Sequence, residues 1–461
     1  VPGQRSRTMA KREGQLRLGA FFNPTGHHVA SWRHPDAQAD ANVNFQHYVE
    51  VTQTAERGKF DMVFLADNLA MREASMEALS RSAQYISNLE PMTLIAALSA
   101  VTSRIGLVCT ATTSYYEPYH VARKFATMDH ISGGRVGWNL VTSGTFAEAY
   151  NFNRDAHYGH AERYDRAREF AEVVVGLWDS WDDDAFVRDK EAGLYFDPAK
   201  LHTLNHVGKH FKVKGPLNTP RPPQGHPVIV QAGTSEDGMD ISARFAEVIF
   251  SAHWSIEACK KYSKEVKARA AGKFGRNPDH LKVMPGLSCF VAETESEANE
   301  KYEYMQSLIH PIVAREILST ILGGFDLSNF PFDGPLPEIP MTGGSQSTMQ
   351  PAIDMARNEN LSIRQVAMRI AGARGKSVIK GTPAQIADHI QHWFEEEAAD
   401  GFNVMPPFLP GGLDDFVTMV IPELQRRGLF RTEYTGQTLR EHLGLPRPRS
   451  VFEKRANEAA E

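Results

Sequence analysis

The sequence predicts an α/β protein built as a (β/α)8 barrel with insertions, and three observations carry that prediction. Short unbroken apolar runs, the mark of parallel strands buried on both faces, alternate with stretches of helical spacing along most of the chain. Eight such runs can be counted, more than an open doubly wound sheet needs. No internal repeat with a solenoid-like period competes with this reading. The length of 461 residues suits one large barrel over residues 9–446, with insertions at about 182–227 and 323–380.

Residues 16–22 read as the first strand and run into a loop carrying His27, His28, Trp32 and Arg33. Helical spacing over 44–59 leads to a second strand, 60–66, that ends at Asp67. After a long loop, Pro91 is placed to open a helix, because proline is tolerated in a first helical turn. Residues 104–144 then form a βαβ unit: an apolar run, the aromatic loop SYYEPYH, a helix, the turn Gly133-Gly134 and a second apolar run. Residues 162–181 are an amphipathic helix, and 205–227 look like a β-rich, proline-rich excursion. Further strands are expected at 226–232, 247–251, 281–292 and 402–406, with helices at 256–273, 296–322, from Thr382 and over 413–427. A helix near 361–370 closes the second insertion. The residues after Pro446 are charged and proline-bearing and read as a loose tail, and the charged leader 1–8 before Met9 reads as an addition foreign to the fold.

Composition narrows the function classes. The net charge of -6 is mild and Lys and Arg are dispersed, which argues against a nucleic-acid partner. No run approaches a membrane span. Cys109, Cys259 and Cys289 are odd in number and lack ligand spacing, as expected of a reduced cytoplasmic protein without structural zinc. His27 and His28 have no partner at metal-ligand spacing, so no metal is assigned.

In parallel sheets the chemistry collects at the carboxyl ends of strands, which makes Thr110, Thr112, Thr113, Asn139, Thr142 and Ser143 the first site candidates. The turn QAGTSEDG offers Gly233, Thr234, Ser235 and a helix N-terminus, and has two readings: an anion site, or a helix capped by Ser235 with Glu236 and Asp237 at the dipole. Carboxylates at a phosphate would repel it, a caution against the first. In HYGHAERYDRA, His160, Arg163 and Tyr164 share one face of a starting helix and have the donors to meet one phosphate or one ring edge; the alternative is a solvated helix start. No GxSxG, Walker or strand-linked GxGxxG motif is present, which leaves the difficult chemistry to a bound cofactor.

The strings AERGKFDMVFLADN, TATTSYYEPYHVARKFATMDHISGGRVGWNLVTS, HAERYDRAREF, GPLNTPRPPQGHPVIVQAGTS, AADGFNVMPPFLP and VIPELQRRGLFRTEYTGQTLREHLGL resemble the bacterial-luciferase-like flavin monooxygenases. Within them, the likeness is to the branch acting on nitrilotriacetate, EDTA and dibenzothiophene sulfone, and most to the nitrilotriacetate type, through RPPQGHPVIVQAG, FDGPLPE, GSQS and NENLSIRQ. The resemblance implies a luciferase-like barrel holding reduced FMN (FMNH2), with O2 as co-substrate and a separate NADH-dependent flavin reductase as partner. It places Asp67, Thr110, Asn139, His160, Tyr164, Thr234 and Ser235 around the cofactor, with Asn139 near its reactive edge. Oxygen added at flavin C4a then does the chemistry, so no side chain is assigned as nucleophile. It further implies a non-proline cis peptide at Cys109-Thr110 and a homodimer or homotetramer. Substrate contacts are expected from His28, Trp32, Arg33, Tyr115 and Tyr116, and from Arg374 if the insertion 323–380 acts as a lid. The expected reaction is oxidative N-dealkylation of a small aminopolycarboxylate with release of glyoxylate. A sulfone or another sulfur or nitrogen compound, a deazaflavin-dependent hydride transfer and flavin binding without turnover are the alternatives.

Overall fold

Eight parallel strands close on one another in the computed structural model, which describes residues 12–253, 255–340, 346–373 and 378–453. They are β1 (Arg17–Phe22), β2 (Met62–Leu65), β3 (Gly106–Thr112), β4 (Val136–Val141), β5 (Val228–Gln231), β6 (Val248–Ser251), β7 (Lys282–Val291) and β8 (Gly401–Val404). Each pairs with the next in chain order, and β8 pairs back onto β1 with Leu18 opposite Phe402, which closes the barrel.

The two-residue period of each strand sorts its side chains. Leu107, Cys109 and Ala111 of β3 and Val136, Trp138 and Leu140 of β4 face the helices and join the large outer core. Val108 faces inward, where it meets Phe21, Met62, Phe64, Val228, Val230, Val248 and Met284. Thr110 and Asn139 have the inward parity too, and they lie one step nearer the carboxyl ends. The barrel therefore changes from apolar to polar along its own axis.

Helix ends follow local chemistry. Asn44 caps Phe45–Arg57 through His47 N, and Thr294 and Thr382 each form a reciprocal capping box, with Glu297 and Gln385. The helix expected over 296–322 is two helices, Glu295–Ser307 and Pro311–Ile321, because Pro311 has no N–H to continue the first. The second helix belongs to a separate apolar cluster in which Ile317, Leu318, Ile353, Ile363 and Val366 pack together against Val29 and Ala30.

Three further expectations are corrected. A ninth strand of the large sheet, Val378–Gly381, overlaps the end of the expected insertion and pairs with Ser288–Val291 of β7, which at ten residues outruns its neighbours. The tail is not loose at its start: Arg447 grips Asp183 at 2.6 Å, Pro448 O accepts from Arg221 at 2.9 Å and Val451 N donates to Asp179 at 2.9 Å. The Cys109–Thr110 bond is not among the cis peptides, which are Gly215–Pro216 and Leu409–Pro410; the β3–β4 ladder runs unbroken from Leu107 to Thr112 without one.

The amino ends of the strands are sealed by the helix Leu439–Leu443. Leu439 and Leu443 enter the inner core, and a Cβ on Gly106 would lie 2.8 Å from the backbone oxygen of Asp61 as well as 2.5 Å from Leu439 Cδ1, so glycine is needed at 106. With the floor plugged, a ligand enters from the other end.

Candidate active site

A cavity of about 600 Å³ opens at the carboxyl ends of β2, β3, β4 and β5. Its wall includes Asp67, Arg72, Thr110, Glu148, His160, Arg163, Tyr164 and Gly233. Four of the seven residues expected around a cofactor thus share one cavity: Asp67, Thr110, His160 and Tyr164.

Asn139 lies just below this wall, bonded to Thr110. Thr110 Oγ1 donates to Leu65 O at 3.1 Å, so it accepts from Asn139 Nδ2 at 2.8 Å, and Asn139 Oδ1 is left buried without a partner. A buried orphan acceptor costs roughly 1–3 kcal/mol, a cost that a bound N–H donor removes.

At the β5 end of the cavity two helix N-termini meet. The helix His160–Trp178 begins after Gly159 with no side-chain cap, which leaves its first N–H groups open, and Glu236–Phe245 begins at Ser235. His160 Nε2 reaches Asp237 at 3.5 Å and joins the two. Gly233 and Gly238 touch so closely that a Cβ on Gly233 would lie 2.7 Å from Gly238 Cα. Ser235 Oγ accepts from Gly238 N at 3.1 Å, as the capping reading expects. Of the two carboxylates, Glu236 is drawn into solvent by Arg269 at 2.8 Å, while Asp237 stays beside His160 and is partly neutralised by Arg168 at 3.1 Å. The turn therefore caps its helix, the second of the two readings. Thr234 is exposed at the loop tip, and neither it nor Ser235 lines the cavity.

The acidic wall is unusual. Burial, with help from Glu90 and Glu148, raises the Asp67 carboxyl to about 6, against a hydrogen bond from Asn68 that lowers it. Burial also raises Glu148, although Ser143 Oγ donates to it. Ser143 itself sits at φ 55, a left-handed conformation that a non-glycine residue seldom adopts, and its carbonyl accepts from Arg163.

The residues expected to meet substrate are placed elsewhere. His28 is buried, accepts from Ala30 N at 3.2 Å and meets Gln306 at 3.1 Å. Trp32 donates to Arg81 O at 3.2 Å, and Arg33 donates to Leu308 O. These three tie the first loop to its neighbours rather than line the cavity. Tyr115 bonds His157 and stacks on Phe152 at 5.0 Å, and Tyr116 packs on the outer core. Arg374 lies outside the described residues. Conversely, Arg72, Tyr85 and Glu148 line the cavity although no motif announces them; they come from loops whose closing contacts are long-range.

This donor set fits a flavin mononucleotide. The orphan acceptor of Asn139 suits a ring N–H, and the paired helix N-termini beside the Gly233–Gly238 contact suit a phosphate.

The chain is similar to known proteins along nearly its whole length. The model of the family described as luciferase-like monooxygenase matches residues 25–401. Nitrilotriacetate monooxygenase component A of Aminobacter aminovorans is 53% identical over 447 residues, 95% of this chain and 98% of that protein. N-acetyl-S-(2-succino)cysteine monooxygenase of Bacillus subtilis (strain 168) is 48% identical over 97% of this chain and 100% of its own. The crystal structure of long-chain alkane monooxygenase superposes with a TM-score of 0.82 at 35% identity, covering 94% of this chain and 96% of that one.

Proposed function

The chain belongs to the luciferase-like monooxygenase family, and on that premise we propose that it is the oxygenase of a two-component system that hydroxylates an aminopolycarboxylate such as nitrilotriacetate. Asp67, Thr110, Asn139, His160 and Tyr164 hold FMN, with Thr234 and Ser235 at the phosphate end. The bound reduced flavin supplies activated oxygen for insertion beside the substrate nitrogen. The protein's own part is orientation and dryness. Thr110 and Asn139, held to each other by a hydrogen bond that the apolar barrel below keeps from water, would orient the ring edge, and Leu439 and Leu443 close the floor beneath them. Hydroxylation of a carboxymethyl carbon lets the C–N bond break, giving glyoxylate and an amine shorter by one carboxymethyl arm.

The orphaned Asn139 Oδ1 beside a cavity of this size carries the flavin reading. Identity of 53% over nearly the full length of a nitrilotriacetate enzyme supports the substrate class, as does the relative named for N-acetyl-S-(2-succino)cysteine, another carboxylate-bearing molecule. The words "component A" in the first relative's name support a separate NADH-dependent flavin reductase here. A homodimer or homotetramer is the proposed assembly. No helix among the described residues is long and apolar enough to cross a membrane.

The test is oxygen uptake by purified protein with a flavin reductase, NADH, FMN and Mg-nitrilotriacetate, with glyoxylate assayed in parallel. Glyoxylate formed in step with oxygen supports the proposal. Peroxide alone overturns the substrate, and a panel containing N-acetyl-S-(2-succino)cysteine and a sulfone then decides between the alternatives.

A further inference from the structure

Of the two arginines on the cavity wall, Arg163 is tied to the protein through one nitrogen, with its Nε left over, and Arg72 through none among the described residues. Arg163 donates to Ser143 O and His160 leans on Asp237, but no hydrogen bond or ion pair takes up the guanidinium of Arg72 among the described residues. Its backbone is nevertheless fixed. Arg72 N donates to Tyr85 O at 3.1 Å, and Tyr85 is held at φ 58. The same loop is anchored at one end by Asn151 Nδ2 on Leu69 O at 2.9 Å, and at the other by Gln84 Nε2 on His27 O at 3.0 Å. A partly exposed arginine on a loop anchored at three points, with its fork unused, is available to a planar anion.

That anion is not the cofactor's phosphate. The two helix N-termini lie at the β5 end of the cavity, while Arg72 follows β2, with β3 and β4 between them. The remaining charge of the wall gives direction. Asp67 and Glu148 line the same cavity, so an anion placed near either is repelled, and Arg72 is where a carboxylate is welcome.

We infer that Arg72 is the specificity-determining residue for a carboxylate of the substrate, gripping it while the reacting carbon faces the ring edge at Asn139. The inference rests on the proposed function and names the side chain that selects the substrate class.

The experiment compares wild type, R72Q and R72K in the reductase-coupled assay, with nitrilotriacetate and with its monoamide, in which one carboxylate is neutral. R72Q is expected to raise KM for nitrilotriacetate by roughly 10- to 100-fold while kcat stays within about threefold, the pattern of lost uniform binding. Wild-type preference for the acid over the amide is expected to shrink to near unity in R72Q. R72K is expected to recover part of it, since lysine restores the charge without the fork. FMN affinity, read by quenching of flavin fluorescence, is expected to be unchanged. An unaltered KM in R72Q overturns the inference, as does a loss of FMN binding equal to the loss of activity. Should wild type turn over a neutral sulfone and no carboxylate, the function reading fails on its own. Titration of nitrilotriacetate into FMN-loaded wild type and R72Q then decides the inference: weaker binding in the variant supports it, and equal or absent binding overturns it.

Discussion

At the floor of the barrel Asp61 is fully buried, accepts from Leu18 N at 2.7 Å and pairs with Arg431, which also donates to His442 O at 2.8 Å. Beside it Arg440 grips Glu247 with two nitrogens, at 2.5 and 2.9 Å. At the mouth, Asp67, Glu148 and Arg72 face one cavity with no ion pair among them, and Asn139 Oδ1 has no partner. Both ends bury polar groups; the floor pairs Asp61 and Glu247 with arginines, whereas Asp67, Glu148 and Arg72 at the mouth have no ion pair among the described residues. Paired charges hold the floor helix and the first strands in place. Unpaired ones at the mouth cost stability and leave donors, acceptors and field for a ligand.

The largest expected effect breaks the floor. Asp61→Ala leaves Arg431 buried without its partner and Leu18 N without an acceptor, and should cost about 3–5 kcal/mol in denaturant unfolding. A loss below about 1 kcal/mol would mean that the floor does not depend on this pair.

At the mouth the sign reverses. The Asp67 carboxyl is raised from 3.8 to about 6 in the folded protein, so folding favours its protonated form. Below the unfolded value both states are protonated and there is no penalty; the penalty grows between those values and is complete above the folded one. Asp67→Asn in the flavin-free protein should therefore leave the melting temperature unchanged near pH 3.5 and raise stability by about 1–2 kcal/mol at pH 8, after discount for solvent. Equal stability at both values would remove the strained mouth from the comparison.

The smallest effect concerns Glu236, whose side chain is 79% exposed against Arg269. Glu236→Gln should change neither FMN affinity nor stability by more than about 0.5 kcal/mol. A clear gain in FMN affinity would show that its charge reaches the phosphate end after all.

Much of the barrel was legible because its signals are local. An apolar run of strand length, a capping residue and a proline at the head of a helix act within a few residues, and each of the eight expected strands has its counterpart. Where the reading failed, the deciding contact was distant. Val378–Gly381 is a strand only because β7 overshoots its neighbours, and the tail is held by Asp183 and Arg221 from the first insertion and by Asp179 at the end of the helix before it. The helix over 296–322 failed for a local reason that was visible, since Pro311 stands inside it.

For the site, the sequence by itself determined which residues end the strands and which start the helices, since a two-residue period turns Thr110 and Asn139 inward and a three- and four-residue spacing aligns His160 with Tyr164. It did not determine which of these polar groups find partners. That was decided by tertiary structure: Gln306 occupies His28, Leu308 O occupies Arg33, and Arg72 and Asn139 Oδ1 are left over. The physical reason is that a hydrogen-bonding group becomes available for function only when every neighbour brought near by folding has declined it, and those neighbours lie hundreds of residues away in the chain.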